Sequence, residues 1–184
     1  MDKNLTMEVI AGFFRSNRLK LSTAESITAG LVSAGITTLP GASTFYQGGF
    51  VAYTRSAKKK MLKISRPFLI RETPYSLKFA EKMALNARKL GCAHVCLAVT
   101  GLAGPGNDNS PQEVLVGDVF FAIALSNRYV ISRKEIFPGN REEIRTKAAA
   151  AALEFLRETL EQNQTLICQI YKKKVSRLQP CAEK

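Results

Sequence analysis

A strand, a tight turn and a helix are predicted, in that order, by the stretch Leu19-Lys20-Leu21-Ser22-Thr23-Ala24-Glu25-Ser26-Ile27-Thr28-Ala29-Gly30-Leu31. Its first residues alternate between apolar and polar as in a strand, and apolar residues from Ile27 onward recur at helical spacing. Thr23 or Ser26 is a suitable N-cap for that helix. A hydroxyl there lies beside unpaired N–H groups at the positive end of the helix, where an anion or a developing oxyanion is stabilised. Taken alone, the stretch fits an ordinary helix cap as well as a catalytic hydroxyl.

The length and composition are those of one soluble domain. The chain has 184 residues, of which 46% are apolar and 23% are charged, enough for one buried core but not for two domains. We expect a domain over residues 1–162 and a basic tail over residues 163–184. No apolar run approaches the roughly 20 residues of a membrane-spanning helix, and the amino end lacks the apolar core of a signal peptide. These features predict a cytoplasmic protein without a membrane partner.

Cysteine and histidine are too few and too scattered for a metal site. The four cysteines form no CxxC pair, and His94 is the single histidine. We therefore expect no zinc and no other cofactor. Cys92 and Cys96 lie in or beside an apolar segment, which predicts reduced and buried thiols.

The net charge of +12 and the pI near 9.8 raise the question of a nucleic-acid partner. Local runs of positive charge occur only at Lys58-Lys59-Lys60 and Lys172-Lys173-Lys174, and no recognisable nucleic-acid-binding motif accompanies them. Nucleic acid is thus an unlikely partner of the domain. The charge favours attraction of anions, including phosphorylated small molecules.

Helices alternate with strands along the chain. Besides the opening strand, helices are predicted at residues 7–17, 27–38, 56–62, 74–90 and 141–161, and strands at residues 45–54, 94–100, 116–125 and 129–137. This order predicts an α/β fold with a sheet that is partly parallel and partly antiparallel. Ligands bind such sheets outside the carboxyl ends of the parallel strands. The loops at residues 23–28, at 53–58 and after Thr100 should therefore meet at one rim.

A catalytic Ser26 needs a base, and two residue types are available. His94 opens its strand, at the end of the sheet away from this rim, so we expect a structural role for it. Lys58 lies five residues after Tyr53, where the strand ends and the next element begins, and a desolvated lysine loses its proton near neutral pH. Tyr53 would add a hydroxyl able to relay a proton or to orient the amine. A serine, lysine and tyrosine set suits amide or ester hydrolysis without metal, whereas a lysine in a run of three also fits a solvated helix face.

Two further features could bind an anionic ligand. The loop Thr100-Gly101-Leu102-Ala103-Gly104-Pro105-Gly106 follows a buried strand and permits backbone N–H groups to face an anion. It lacks the pattern of a Walker loop or a dinucleotide fingerprint, and a simple tight connection fits it equally well. Arg141 and Arg145 are four residues apart, so one helix face could present two guanidinium groups to a phosphate or to solvent.

With these residues in view, the sequence resembles the CinA carboxyl-terminal domain family, the nicotinamide-nucleotide amidases, from about Met7 to about Glu161. The matching stretches, in order, are Thr23-Ala24-Glu25-Ser26 with Gly30-Leu31, Pro40-Gly41-Ala42-Ser43, Gly48-Gly49-Phe50-Val51-Ala52-Tyr53 with Ala57-Lys58, Thr100 to Gly106, Val116-Gly117 and Phe137-Pro138-Gly139.

The resemblance implies hydrolysis of the carboxamide of nicotinamide mononucleotide to nicotinic acid mononucleotide and ammonia. It implies Ser26 as nucleophile, Lys58 as base and Tyr53 as their partner, within a single three-layer α/β/α domain that forms a homo-oligomer. The substrate site implied in the same way comprises Thr28, Gly30, Thr100, Gly101, Gly104 and Arg145.

The chain departs from the family at several positions, and other functions stay open. Ile27 and Ala29 stand where the family commonly has cysteine and glycine, and Leu77 where an acidic residue is expected. The start of the helix is then less open to a ligand. A nucleotide-binding or regulatory protein that has lost turnover is the second hypothesis. The third is that the basic tail from Lys172 contacts nucleic acid or an acidic partner.

Overall fold

The structure is a computed structural model that describes residues 3–104 and 114–175. Its helices are α1 (Lys3–Ser16), α2 (Leu31–Thr37), α3 (Arg55–Leu62), α4 (Arg66–Arg71), α5 (Leu77–Leu90), α6 (Arg141–Gln162) and α7 (Gln164–Val175). Its strands are β1 (Leu21–Glu25), β2 (Tyr46–Val51), β3 (Val95–Gly101), β4 (Asp118–Ala124) and β5 (Val130–Ile136).

The strands form one five-stranded mixed sheet in the order β2-β1-β3-β4-β5. Strands β2, β1 and β3 are parallel, and β4 and β5 are antiparallel additions at one edge. One core packs between the sheet and helices α1, α2 and α6, and a second lies under α3, α4 and α5. The predicted single α/β/α domain with a partly parallel sheet is therefore confirmed.

Helix α2 begins later than predicted, at Leu31 rather than Ile27. Its N-cap is Gly30, in the left-handed conformation, and neither Thr23 nor Ser26 caps it. The physical reason is the carboxylate of Glu25, which accepts hydrogen bonds from the backbone N–H groups of Gly30, Val32 and Ser33. The first turn of α2 is thus occupied by the protein's own anion, so the predicted anion site at its free N–H groups is wrong.

The region between α3 and α5 also differs from the prediction. Pro67 does not simply close α3 but lies in the first turn of a further short helix, α4. Helix α5 begins at Leu77, because the side chain of Ser76 accepts a hydrogen bond from the N–H of Phe79. Pro74 lies before this cap, in the connection that forms one wall of the pocket described below.

Much of the segment expected to be a basic tail is helix α7. Ile167 and Tyr171 are buried against the domain core, and the Tyr171 hydroxyl lies within hydrogen-bond reach of the carbonyl oxygens of His94 and Leu125. Residues 176–184 lie outside the described residues, and so do the side chains of the lysine run 172–174. The amphipathic period of α7 is short and weak, which is why the sequence pattern missed it.

His94, Cys92 and Cys96 lie at or near the start of the central strand β3. His94 Nδ1 accepts a hydrogen bond from the backbone N–H of Lys20 at 2.9 Å, which agrees with a structural role at the start of its strand. Cys96 is buried as predicted, and burial raises the pKa of its thiol to about 12. Cys92 is exposed, so its predicted burial is wrong; it follows Gly91 in the turn after α5, outside the strand.

The described residues contain neither a membrane-spanning helix nor a cluster of metal ligands. No helix there is long and apolar enough to cross a membrane. No group of three or more histidine, cysteine, aspartate or glutamate side chains in residues 3–104 and 114–175 is arranged to hold a metal ion.

If α7 belongs to the folded core, Ile167→Ala should lower the free energy of unfolding by about 2–5 kcal/mol, because it leaves a cavity in the core. Gln169→Ala changes an exposed residue of the same helix and should have almost no effect. Urea unfolding of both variants measures the difference. Equal stability of the two variants would show that α7 contributes nothing to the core.

Candidate active site

A pocket of about 750 Å³ opens at the carboxyl end of the parallel strands. The β1–α2 turn, the start of α3, the loop after β3 and the α4–α5 connection form its walls, with the first residue of α6 at the edge. The three loops expected at one rim do meet there. Residues 105–113, which complete the glycine-rich loop, lie outside the described residues.

Ser26 and Lys58 lie side by side in this pocket. Lys58 Nζ donates hydrogen bonds to Ser26 Oγ at 2.8 Å and to the backbone oxygen of Tyr53 at 3.0 Å. Lys58 is only 3% exposed, whereas its neighbours Lys59 and Lys60 are exposed. Two lysines of the run, Lys59 and Lys60, therefore face solvent, whereas the amine of Lys58 is buried.

Burial controls the charge of the Lys58 amine. Desolvation lowers the pKa of Lys58 to about 8, and the positive charge of Arg55, one helical turn earlier on α3, lowers it further. No carboxylate in residues 3–104 or 114–175 forms an ion pair with Lys58. About a tenth of an amine with this pKa is neutral at pH 7 and able to accept the proton of Ser26.

The backbone that follows Ser26 offers a hydrogen-bond donor to the pocket. The N–H of Ser26 itself is taken by Val99 of β3 at 2.9 Å, and the N–H of Ala29 is taken by the carbonyl of Ser26. Within the described part of the chain, the N–H groups of Ile27 and Thr28 have no acceptor, and Ile27 lines the pocket. The Ile27 N–H, directly after the serine, is thus the turn's candidate donor to an oxyanion.

The two arginines of α6 have different roles. Arg145 donates from Nε to the carbonyl of Ile27 at 3.1 Å and from Nη2 to the carbonyl of Thr28 at 3.3 Å. Arg145 therefore fixes the turn from outside and does not line the pocket. Arg141 does line it, and donates to the carbonyl oxygen of Gly104 and to the hydroxyl of Tyr53.

Tyr53 contributes through its backbone as much as through its ring. Its carbonyl oxygen orients the Lys58 amine, but its hydroxyl binds Arg141 rather than Ser26 or Lys58. The side chain is 51% exposed at the mouth of the pocket. The hydroxyl is placed to contact a ligand, and the expected relay from it to the amine is not present in this geometry.

Three residues expected to bind substrate form hydrogen bonds to other groups of the protein instead. The Thr28 hydroxyl and the Gly30 N–H both donate to Glu25 Oε2, at 2.8 and 2.9 Å. The Thr100 hydroxyl donates to the carbonyl of Pro74 at 2.7 Å. These groups shape the walls of the pocket, and none of the three residues lines it.

Gly101 lines the pocket. The carbonyl oxygen of Gly104 accepts a hydrogen bond from Arg141, which also lines the pocket. A side chain at position 101 would come within 2.5 Å of the carbonyl oxygen of Asp118 and 3.2 Å of the Ile27 side chain. Only glycine fits between the β4 backbone and the turn, because a side chain at position 101 would collide with that backbone and crowd the turn.

Two residues next to the Ser26–Lys58 pair were not predicted from the sequence to contribute to the site. Glu25 is fully buried at the end of β1 and binds the turn, while Arg55 lines the pocket beside Lys58. An acidic residue that ends an otherwise apolar strand, just before a glycine-containing turn, was a usable signal for Glu25. A cation three residues before a candidate base, one helical turn away, was the signal for Arg55.

Comparisons with known proteins agree with this architecture. The sequence profile of the CinA C-terminal domain matches residues 3–160. The chain is 41% identical over 152 residues to a CinA-like protein of Geotalea uraniireducens, covering 83% of this chain and 36% of that protein. It is 33% identical over 156 residues to the nicotinamide-nucleotide amidohydrolase PncC of Escherichia coli K12, covering 85% of this chain and 93% of that protein.

Solved structures show the same fold. The competence/damage inducible protein CihA from Agrobacterium tumefaciens superposes with a TM-score of 0.76 at 35% identity, covering 84% of this chain and 92% of that chain. A competence or damage-inducible protein from Enterobacter asburiae gives a TM-score of 0.80 at 26% identity, covering 87% and 99%. The chain spans about a third of the length of several longer CinA-like relatives. By its sequence profile, its relatives and its fold, the chain belongs to the CinA C-terminal domain family.

Proposed function

We propose that this chain hydrolyses the carboxamide of nicotinamide mononucleotide, releasing nicotinic acid mononucleotide and ammonia. The observation that carries the proposal is the 2.8 Å hydrogen bond between Lys58 Nζ and Ser26 Oγ inside the pocket. The similarity to the PncC amidohydrolase supports the reaction class and the substrate.

The reaction proceeds in two halves. Neutral Lys58 takes the proton of Ser26 as Oγ attacks the carboxamide carbon, and the N–H of Ile27 donates to the oxyanion. Lys58 then passes the proton to the leaving nitrogen, ammonia departs and an acyl-serine remains. Lys58 next takes a proton from water, the resulting hydroxide attacks the acyl carbon, and the proton returns to Ser26 as the acid is released.

The charge of the pocket supports an anionic substrate. Arg55, Arg71 and Arg141 line it together with Lys58, and Glu72 is the one acidic residue among its described lining. Cationic groups at the mouth of a pocket raise the local concentration of an anion and pair with a phosphate. A phosphorylated pyridine nucleotide meets this requirement, whereas free nicotinamide does not use it.

Ser26→Ala should reduce ammonia release from nicotinamide mononucleotide by at least about 1000-fold, because it removes the nucleophile. The change deletes one oxygen, so the circular-dichroism spectrum should stay that of the wild type. Ser56→Ala, at an exposed position on α3, is the matched control and should keep full activity.

Ammonia release by the wild-type protein distinguishes an amide hydrolase from a nucleotide-binding protein that has lost turnover. Undiminished turnover in Ser26→Ala would refute the serine mechanism. A wild-type protein that binds the nucleotide in calorimetry, yet releases no ammonia on long incubation, would instead be a binding or regulatory protein.

The pH profile tests Lys58 as the base. Only the neutral amine accepts a proton, so kcat/KM should fall about tenfold per pH unit below about pH 8, the pKa of Lys58. Arg55→Gln removes a positive charge that disfavours protonation of the amine. The pKa should then rise, and the acid limb of the profile should move to higher pH.

Arg66→Gln removes an exposed cation from α4, outside the pocket lining, and serves as control. Its profile should match that of the wild type. An acid limb that stays in place in Arg55→Gln, or activity retained in Lys58→Arg, would contradict the assignment, because a guanidinium group remains charged at all these pH values.

A further inference from the structure

Glu25 is a buried acid that the reaction itself does not use. Its side chain is 0% exposed and accepts five hydrogen bonds. Three of the five donors are backbone N–H groups, which can only donate, so each carboxylate oxygen accepts at least one backbone hydrogen bond. No cation in the described ranges forms an ion pair with it. Its partners among the described residues are therefore N–H and O–H groups.

The two carboxylate oxygens serve different parts of the structure. Oε2 accepts from the Thr28 hydroxyl at 2.8 Å, the Gly30 N–H at 2.9 Å and the Val32 N–H at 3.1 Å. Oε1 accepts from the N–H and the hydroxyl of Ser33, at 2.8 and 2.5 Å. Oε2 therefore binds the turn that follows Ser26, and Oε1 binds helix α2.

The Oε1 side is anchored to the sheet. The hydroxyls of Ser33, Thr23 and Tyr46 bond to one another at 2.7 to 2.9 Å. A side chain at Gly49 of β2 would collide with all three hydroxyls, so the cluster is packed tightly against the sheet. Only the Ser33 hydroxyl of this cluster reaches the carboxylate, and the backbone N–H of Ser33 binds the same oxygen.

The turn is consequently held from two directions. Arg145 binds the carbonyl oxygens of Ile27 and Thr28 from one side, and Glu25 Oε2 binds Thr28 and Gly30 from the other. The Ile27 N–H is left without an acceptor among the described residues. These contacts restrict the backbone dihedral angles of the turn that follows Ser26.

We propose that Glu25 is a positioning residue for Ser26. Its Oε2 holds the turn so that Ser26 Oγ stays within hydrogen-bond distance of Lys58 and the Ile27 N–H faces the pocket. Glu25 transfers no proton and touches no substrate. The kinetic consequence rests on the proposed amide hydrolysis, whereas the structural consequence does not.

Direct replacement of Glu25 is a poor test, because Glu25→Gln turns an NH₂ group toward N–H donors and threatens folding. The two hydroxyl donors offer a matched pair instead. Thr28→Val removes a bond to Oε2, and Ser33→Ala removes a bond to Oε1, so each deletes one hydroxyl from the same carboxylate.

We expect both variants to fold, and Ser33→Ala to lose at least as much thermal stability as Thr28→Val, because the Ser33 hydroxyl also bonds to Thr23 and Tyr46. Thr28→Val should lower kcat by about tenfold or more with KM little changed, because a small misplacement of a reacting group is costly in rate. Ser33→Ala should keep kcat within about twofold of the wild type, since the Oε2 contacts remain. The midpoint of the pH profile should stay in place in both, because the charge of Glu25 is retained.

Hydrogen exchange followed by mass spectrometry tests the same idea without a substrate. The backbone amides of Ala29 and Gly30, which both donate hydrogen bonds within the turn, should exchange faster in Thr28→Val than in Ser33→Ala. If wild-type protein releases no ammonia, the proposed function fails and this measurement still decides the role of Glu25. Equal exchange in the two variants, a kcat unchanged in Thr28→Val, or a loss of kcat that merely follows stability in both would overturn the proposal.

Discussion

The buried contact between the Lys58 amine and the Ser26 hydroxyl is the interaction on which the site depends. An ammonium group withdrawn from water loses hydration that protein groups must replace. Here the replacement is modest: a hydroxyl, the carbonyl of Tyr53, and the ring of Phe79 with its centre 5.9 Å from Nζ. The shortage of partners that makes this position costly also makes the amine ready to give up its proton.

The architecture and the central pair could be predicted from sequence because their signals are local or topological. Alternating helices and strands predicted the mixed sheet, and the rule that parallel strands present their carboxyl ends together brought Ser26 near Lys58. Partner choice could not be predicted in the same way. The hydroxyl of Tyr53 pairs with Arg141, which follows it by 88 residues, and only the folded chain places those two groups in contact.

The hydrogen bonds to Glu25 account for both the later start of α2 and the backbone conformation of Ala29. Ala29 adopts a left-handed conformation with φ of 50°, which costs a residue with a side chain about 1–2 kcal/mol. The hydrogen bonds from the turn to Glu25 offset that cost, so the turn forms without glycine at this position. The Ile27 side chain forms part of the pocket wall beside Gly101.

The contact between Arg145 and the turn also has a consequence for the order in which the site is assembled during synthesis. Arg145 follows Ile27 by 118 residues and lies on α6, after every strand of the sheet. A ribosome has already synthesised Ser26 and Lys58 long before it adds the guanidinium group that fixes the turn between them. Domains generally fold as units once their chain has emerged. A partly made chain therefore carries Ser26 and Lys58 before the arginine that fixes the turn has been added.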